Sequence, residues 1–177
     1  MACDETYMKN PSILTKVLAE GLKTLWSMDI ADCPCDISLA KKLQMAKYNV
    51  ENNLVDMDNC QPDTYGEEGF KDPADLLNWL NKNQPEEELV LSHGDYCLPN
   101  VFGLGSEFSG FIDIGKMGKA DKWQDIALCY RSLKHNYEGK YGGDVYGDFA
   151  PDLLFEELGI EPDWEKIRYY ILMDELF

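Results

Sequence analysis

The sequence predicts an α+β fold that is mostly helical and carries a small cluster of short strands. Three observations predict it. Apolar residues recur at helical spacing in several separate stretches. Between Leu89 and Gly115, short runs rich in β-branched and aromatic residues are bounded by turn formers and read as strands. An apolar share of 45%, with 12% aromatics, is enough to build a packed core in 177 residues. One domain over 1–177 is expected, with no internal repeat, low-complexity tract or linker.

Taken in order, Asn10-Pro11-Ser12 is a helix start, an Asn cap followed by proline at the first helical position. Ile13, Leu14, Val17, Leu18, Leu22, Leu25 and Trp26 then form an apolar stripe. Residues 30–36 read as a loop. Ser38 is expected to cap a second helix, with Leu39, Leu43, Ala46, Val50 and Leu54 on one face. Residues 58–69 are acidic and rich in turn formers, which predicts a solvated surface loop. Asp72-Pro73 starts a third helix carrying Leu76, Leu77 and Leu80, and Asn83 to Pro85 stops it. Leu89-Val90-Leu91 makes a short strand. Val101-Phe102 and Phe108 to Ile114 form a hairpin around the Gly103–Ser109 turn. Residues 116–120 are expected to be a loop entering a helix from about Asp121 to Asn136. A glycine-rich, mobile stretch follows from Tyr137 to Gly147. Two helices, Pro151 to Leu158 and Asp163 to the end, complete the chain.

Charge and cysteines narrow the class. The formal charge of −17 and pI near 4.3 oppose nucleic acid and anionic membranes, and they favour cationic partners. No run approaches the apolar length of a membrane span, and the first residues lack a basic, apolar leader. A soluble cytoplasmic protein is expected, and the six scattered cysteines read as free thiols. Cys33-Pro-Cys35 is too tight for a zinc knuckle.

The chemistry gathers in the stretch from Leu89 to Gly115. Phosphoryl transfer needs a group to orient the attacking hydroxyl, hard oxygen ligands for Mg²⁺, and positive charge on the phosphates. Asp95 is followed five positions later by Asn100, the Asp-x-x-x-x-Asn spacing of kinase catalytic loops, and a strand then runs into Asp113-Ile114-Gly115. Asp95 is the expected base, with Asn100 and Asp113 as metal ligands. His93 is expected to fix the loop's backbone. Each residue alone reads as a turn or a cap; the combination carries the inference.

These residues also carry a resemblance. His93-Gly94-Asp95-Tyr96-Cys97-Leu98-Pro99-Asn100, Phe111-Ile112-Asp113-Ile114-Gly115 and Ala120-Asp121-Lys122-Trp123-Gln124-Asp125-Ile126-Ala127 resemble the aminoglycoside 3'-phosphotransferases, and so does the terminal Tyr170-Ile171-Leu172-Met173-Asp174-Glu175-Leu176-Phe177. The resemblance implies a fold like the C-terminal lobe of a protein kinase, with the strand cluster carrying the catalytic loop. It implies ATP as donor, Mg²⁺ as cofactor and aminoglycoside antibiotics as acceptors. Asp95 would be the catalytic base, Asn100 and Asp113 would hold magnesium, and Asp125 would support the loop. Arg131, Asp174, Glu175 and Phe177 with the terminal carboxylate would hold the amino sugar. Lys116, where the family usually has Arg, keeps the charge for a phosphate and loses the bidentate fork.

Two departures qualify this picture. No Gly-x-Gly-x-x-Gly opens a helix or strand, and no Val-Ala-Ile-Lys-like strand exists, so only the core and C-terminal lobe are expected. The expectation is a fragment, a shortened reading frame or one part of a split enzyme, completed by a homodimer partner or a complementing N-terminal lobe; the alternative is a module that binds without turning over. His135 and Asn136 follow Arg131-Ser132, where several relatives carry acidic residues. A kinase for another small alcohol stays open as an alternative, and a metal-dependent hydrolase is the outsider. The tail poses its own problem: Asp174 and Glu175 crowd a helix C-terminus, where the macrodipole disfavours anions, and nothing nearby in sequence compensates them.

Overall fold

Helix α2, Pro11–Trp26, packs against other helices and the hairpin strands at the centre of one half of the fold. Of its stripe, Leu14, Val17, Leu18, Leu22 and Leu25 are buried as the spacing predicts, whereas Ile13 is exposed and Trp26 half-buried. The structure is a computed structural model and describes every residue except 141, 148, 149 and 151. The other helices are α1 (Glu5–Met8), α3 (Leu39–Glu51), α4 (Pro73–Lys82), α5 (Lys122–Tyr137), α6 (Asp152–Leu158) and α7 (Trp164–Asp174), with α5 packed on α7 and α3 on α4. The strands are β1 (Leu89–Ser92), β2 (Val101–Leu104), β3 (Glu107–Phe111) and β4 (Gly118–Asp121). Among the described residues, no helix is long and apolar enough to cross a membrane.

Several expectations need correction. The short helix α1 precedes the predicted start, and the Asn10 side chain turns back to donate to the Thr6 carbonyl, so it does not cap α2. Ser38 does not cap α3 either; Glu87 reaches over to accept from the Leu39 N–H at 2.7 Å. The α3 stripe ends early, with Leu54 beyond the helix and exposed. Asp72 does cap α4, accepting from Asp75 N–H at 2.9 Å. The expected helix start at Pro151 lies outside the described residues. Near the glycine-rich stretch, Tyr146 donates back to the Tyr137 carbonyl at 3.0 Å.

The largest correction is β4. Residues expected to form a loop pair antiparallel with β1, Leu89 opposite Asp121 and Ser92 opposite Gly118. Alanine and glycine separated by charged residues give no β signal of their own; Gly118 fits because a Cβ there would stand 2.7 Å from the Cys35 carbonyl. The hairpin β2–β3 forms as expected, but its second strand stops at Phe111, short of Ile114. Asp121 fastens this region to the helices. It accepts from Trp123 N–H at the head of α5, from Glu88 N–H, and from the Tyr170 hydroxyl of α7 at 2.9 Å.

Candidate active site

The loop from His93 to Asn100 joins β1 to β2 and hangs from one helix. Asp125, in the first turn of α5 and fully buried, accepts from the N–H groups of His93 at 2.6 Å and Gly94 at 3.0 Å. Burial pushes the Asp125 carboxyl up, and the two backbone donors pull it back. Two turns further along the same face, Ser132 accepts from Leu98 N–H at 3.0 Å. The Tyr96 hydroxyl ties the loop to α2 by donating to the Leu18 carbonyl at 2.7 Å. Gly94 is required: its φ is +83°, and a Cβ would lie 2.1 Å from the Lys116 carbonyl oxygen.

His93 is buried behind the loop. Its Nε2 faces the Ile112 carbonyl at 2.9 Å, an acceptor only, so Nε2 carries the proton. Nδ1 then accepts from Asp95 N–H at 3.3 Å. The buried ring therefore locks the loop to the end of β3. Ile112 closes the connection from its other side, donating to the Asn100 carbonyl at 3.0 Å. Asp113 comes next, exposed and in the left-handed region at φ 56°. A non-glycine residue there is uncommon and concentrates at functional turns.

Asn100 is 8% exposed and its amide nitrogen is spent on Asp95, donating to the carbonyl at 3.0 Å and to carboxylate Oδ2 at 3.2 Å. Its carbonyl oxygen is the end left for a ligand. Asp95 is thereby held at Oδ2 by Asn100, and the Cys97 thiol bonds to the same carboxylate. Lys116 closes the turn Ile114–Lys116 with its side chain exposed.

The second half of the site is a cavity of about 240 Å³ lined by Asp56, Gln61, Arg131, His135, Lys140, Asp174, Glu175 and Phe177, among others. Larger clefts exist, one of about 590 Å³ beside Trp79 and Trp164, but they hold none of the predicted chemistry. Here the tail's charge problem is solved from a distance in sequence. Arg131 of α5 pairs with Asp174 and, at 3.5 Å, with Glu175. Glu175 Oε2 also accepts from Gln61 N–H at 2.7 Å and lies 3.4 Å from the Thr64 hydroxyl. The acidic loop is therefore pinned to the tail at Gln61 and Thr64, a correction to its expected solvation. Burial pushes the Glu175 carboxyl up, opposed by Gln61 N–H and Arg131.

Helix α5 thus positions both halves: Asp125 and Ser132 hold the loop, while Arg131 and His135 wall the cavity. Sequence reasoning missed His135, Lys140, Asp56 and Lys42 as members of the site. Lys42 lies half-buried on α3 with Nζ 5.2 Å from the Phe177 ring centroid. Burial lowers its ammonium pKa, and Asp174, Asp125 and Asp95 raise it. A lysine three residues after Leu39, inside the apolar stripe, was the available signal.

Known proteins align with this arrangement along nearly its whole length. The chain is 44% identical to an aminoglycoside 3'-phosphotransferase from Enterococcus faecalis over 99% of its residues, which is 63% of that relative. It superposes on the crystal structure of an aminoglycoside-3'-phosphotransferase of type VIII with a TM-score of 0.75 at 30% identity, covering 93% of this chain and 61% of that one. The aminoglycoside phosphotransferase APH(3'')-Id from Streptomyces rimosus, solved with ADP and streptomycin, gives a TM-score of 0.75 at 24% identity over 92% of this chain and 61% of that one. The chain spans less than two thirds of the length of these relatives. Residues 5–170 match the model of the phosphotransferase enzyme family, and together with the kinase-like loop held by α5 this establishes that the chain belongs to that family.

Proposed function

We propose that the chain is the acceptor- and metal-binding part of an aminoglycoside O-phosphotransferase, which passes the γ-phosphoryl group of ATP to a sugar hydroxyl. The observation that carries the reading is the fixing of Asp95 by Asn100 and His93 on the helix that also walls an acid-lined cavity. Asp95 would accept the hydroxyl's proton at the carboxylate oxygen that Asn100 does not hold, as the bond to phosphorus forms. Asp174 and Asp56 would receive ammonium groups of the acceptor. Glu175 and Arg131 line the same cavity and also hold its shape, and Phe177 forms part of its wall. Lys116, exposed beside Gly94, would meet phosphate oxygens.

Asn100 and Asp113 offer hard oxygens of the kind that suits Mg²⁺, which takes few protein ligands and fills its shell with water and phosphate. Among the described residues no group of three His, Cys, Asp or Glu gathers for a metal. When bound, the ion would neutralise charge on the phosphates. ATP as donor is supported by the family and by the neighbour solved with ADP. The −17 charge supports a reading without nucleic-acid or anionic-membrane partners, and a cytoplasmic setting belongs to the same reading, as does folding of 1–177 as one domain.

The test is calorimetry with kanamycin alongside transfer from γ-labelled ATP in Mg²⁺. Kanamycin binding, kept in Asp95→Asn, is the expected result, and any transfer that the chain supports is expected to be lost in that variant. Binding without transfer would assign the chain to acceptor capture and leave the donor site to a further lobe or partner. A chain that binds no aminoglycoside would end the reading.

A further inference from the structure

The acceptor cavity is not uniformly acidic. Asp56, Asp174 and Glu175 line it together with Arg131, and Lys140 and His135 stand on its wall. Arg131 is already paired with the two tail carboxylates. Lys140 Nζ lies 3.2 Å from His135 Nε2. The imidazole is 7% exposed and its pKa is lowered to about 4, by burial first and then by the charges of Lys140, Arg131 and Lys134. A neutral ring accepting from an ammonium leaves a full positive charge facing the cavity.

The backbone builds this wall deliberately. Helix α5 ends in a Schellman turn: Gly139 has φ +67°, Gly139 N–H donates to the Asn136 carbonyl, and Lys140 N–H donates to the His135 carbonyl at 3.0 Å. That six-residue closure folds Lys140 back onto His135. A side chain at position 139 would also approach the Gly143 carbonyl to 2.9 Å, so the turn depends on glycine.

We infer that the Lys140–His135 wall is a specificity determinant, selecting amino-sugar acceptors that present hydroxyls to it and rejecting those that present an ammonium there. Asp56 and Asp174, which line the same cavity, take the ammonium groups. The acceptor class is therefore an aminoglycoside that presents ammonium groups to these carboxylates and a hydroxyl to Lys140. This rests on the aminoglycoside reading above. Like charges brought together in a partly enclosed cavity weaken binding strongly, whereas a hydroxyl can accept from the ammonium.

The experiment uses the full chain and two pairs of probes differing by one amine and hydroxyl: kanamycin B against kanamycin A, and neomycin against paromomycin. Dissociation constants are measured for wild type, Lys140→Ala and Lys140→Glu. In at least one pair the wild type should favour the hydroxyl member by about fivefold or more. Lys140→Ala should bring that ratio within about twofold, and Lys140→Glu should reverse it. Equal ratios in all three proteins would overturn the inference while leaving the aminoglycoside reading intact. No binding of any probe would overturn both. Lys140 is exposed, so its replacement leaves the core untouched.

Discussion

Asp125 is the residue on which the geometry of Asp95 depends, although it lies behind the loop, away from the acceptor. Each of its oxygens receives a backbone N–H, and it has no exposure to water. Asp125→Asn keeps the shape but turns one acceptor into an NH₂ group facing an N–H. Charge-assisted bonds are worth about 1.5–3 kcal/mol each, so a loss of about 2–4 kcal/mol in denaturant unfolding is expected. Transfer should fall with it, and a variant of unchanged stability would remove Asp125 from this role. His135 makes a second residue-level prediction with a definite sign. Its pKa is lowered from 6.5 to about 4 in the folded chain, so the unfolded chain takes a proton in that interval which the folded chain refuses. Its contribution is complete above pH 6.5, declines as pH falls, and is fully lost near pH 4. Allowing for screening around exposed Lys140, the decline should be about 1–3 kcal/mol. Comparing unfolding of wild type and His135→Gln at pH 7 and pH 4.5 isolates it, and parallel pH curves would refute it.

At the scale of elements, α5 joins the loop, the cavity and the tail. Arg131→Met should destabilise by about 3–5 kcal/mol, because Glu175 would be left as a buried charge without its partner. Urea unfolding checks this, and a loss below about 1 kcal/mol would mean that Gln61 N–H and Thr64 suffice. What was legible beforehand follows from what each element needs. Apolar stripes placed α2, α4 and α5 because periodic burial writes itself into sequence. The loop was legible because a base, a ligand and their spacing are local facts. β4 was not, since Gly118-Lys-Ala-Asp121 is a strand only by pairing with β1. Capping failed for the same reason at Ser38, where a carboxylate 48 residues away took over. The Arg131–Asp174 pair joins residues 43 apart, so the tail looked uncompensated when read locally.

At the scale of the whole molecule, two effects on a cationic acceptor must be separated. One is contact with Asp174; the other is the field of a chain carrying −17. Truncating the tail cannot separate them cleanly, as Leu176 is fully buried, its carbonyl accepts from Asn49, and Glu175 pins the acidic loop. Asp174→Asn can, because it removes one charge and leaves the packing. The side chain is about a quarter exposed, so its contact with an acceptor is screened less than the distant surface charges. With a Debye length near 10 Å at about 0.1 M salt, raising ionic strength from about 0.02 M to about 0.3 M should suppress most of the long-range attraction. Kanamycin affinity of the wild type should fall by about tenfold or more, mainly through slower association. Asp174→Asn should bind more weakly at every salt concentration yet keep most of that salt slope. If the slope disappears with Asp174, the single contact accounts for the electrostatics, and the acidity of the remaining surface contributes nothing to capturing the acceptor.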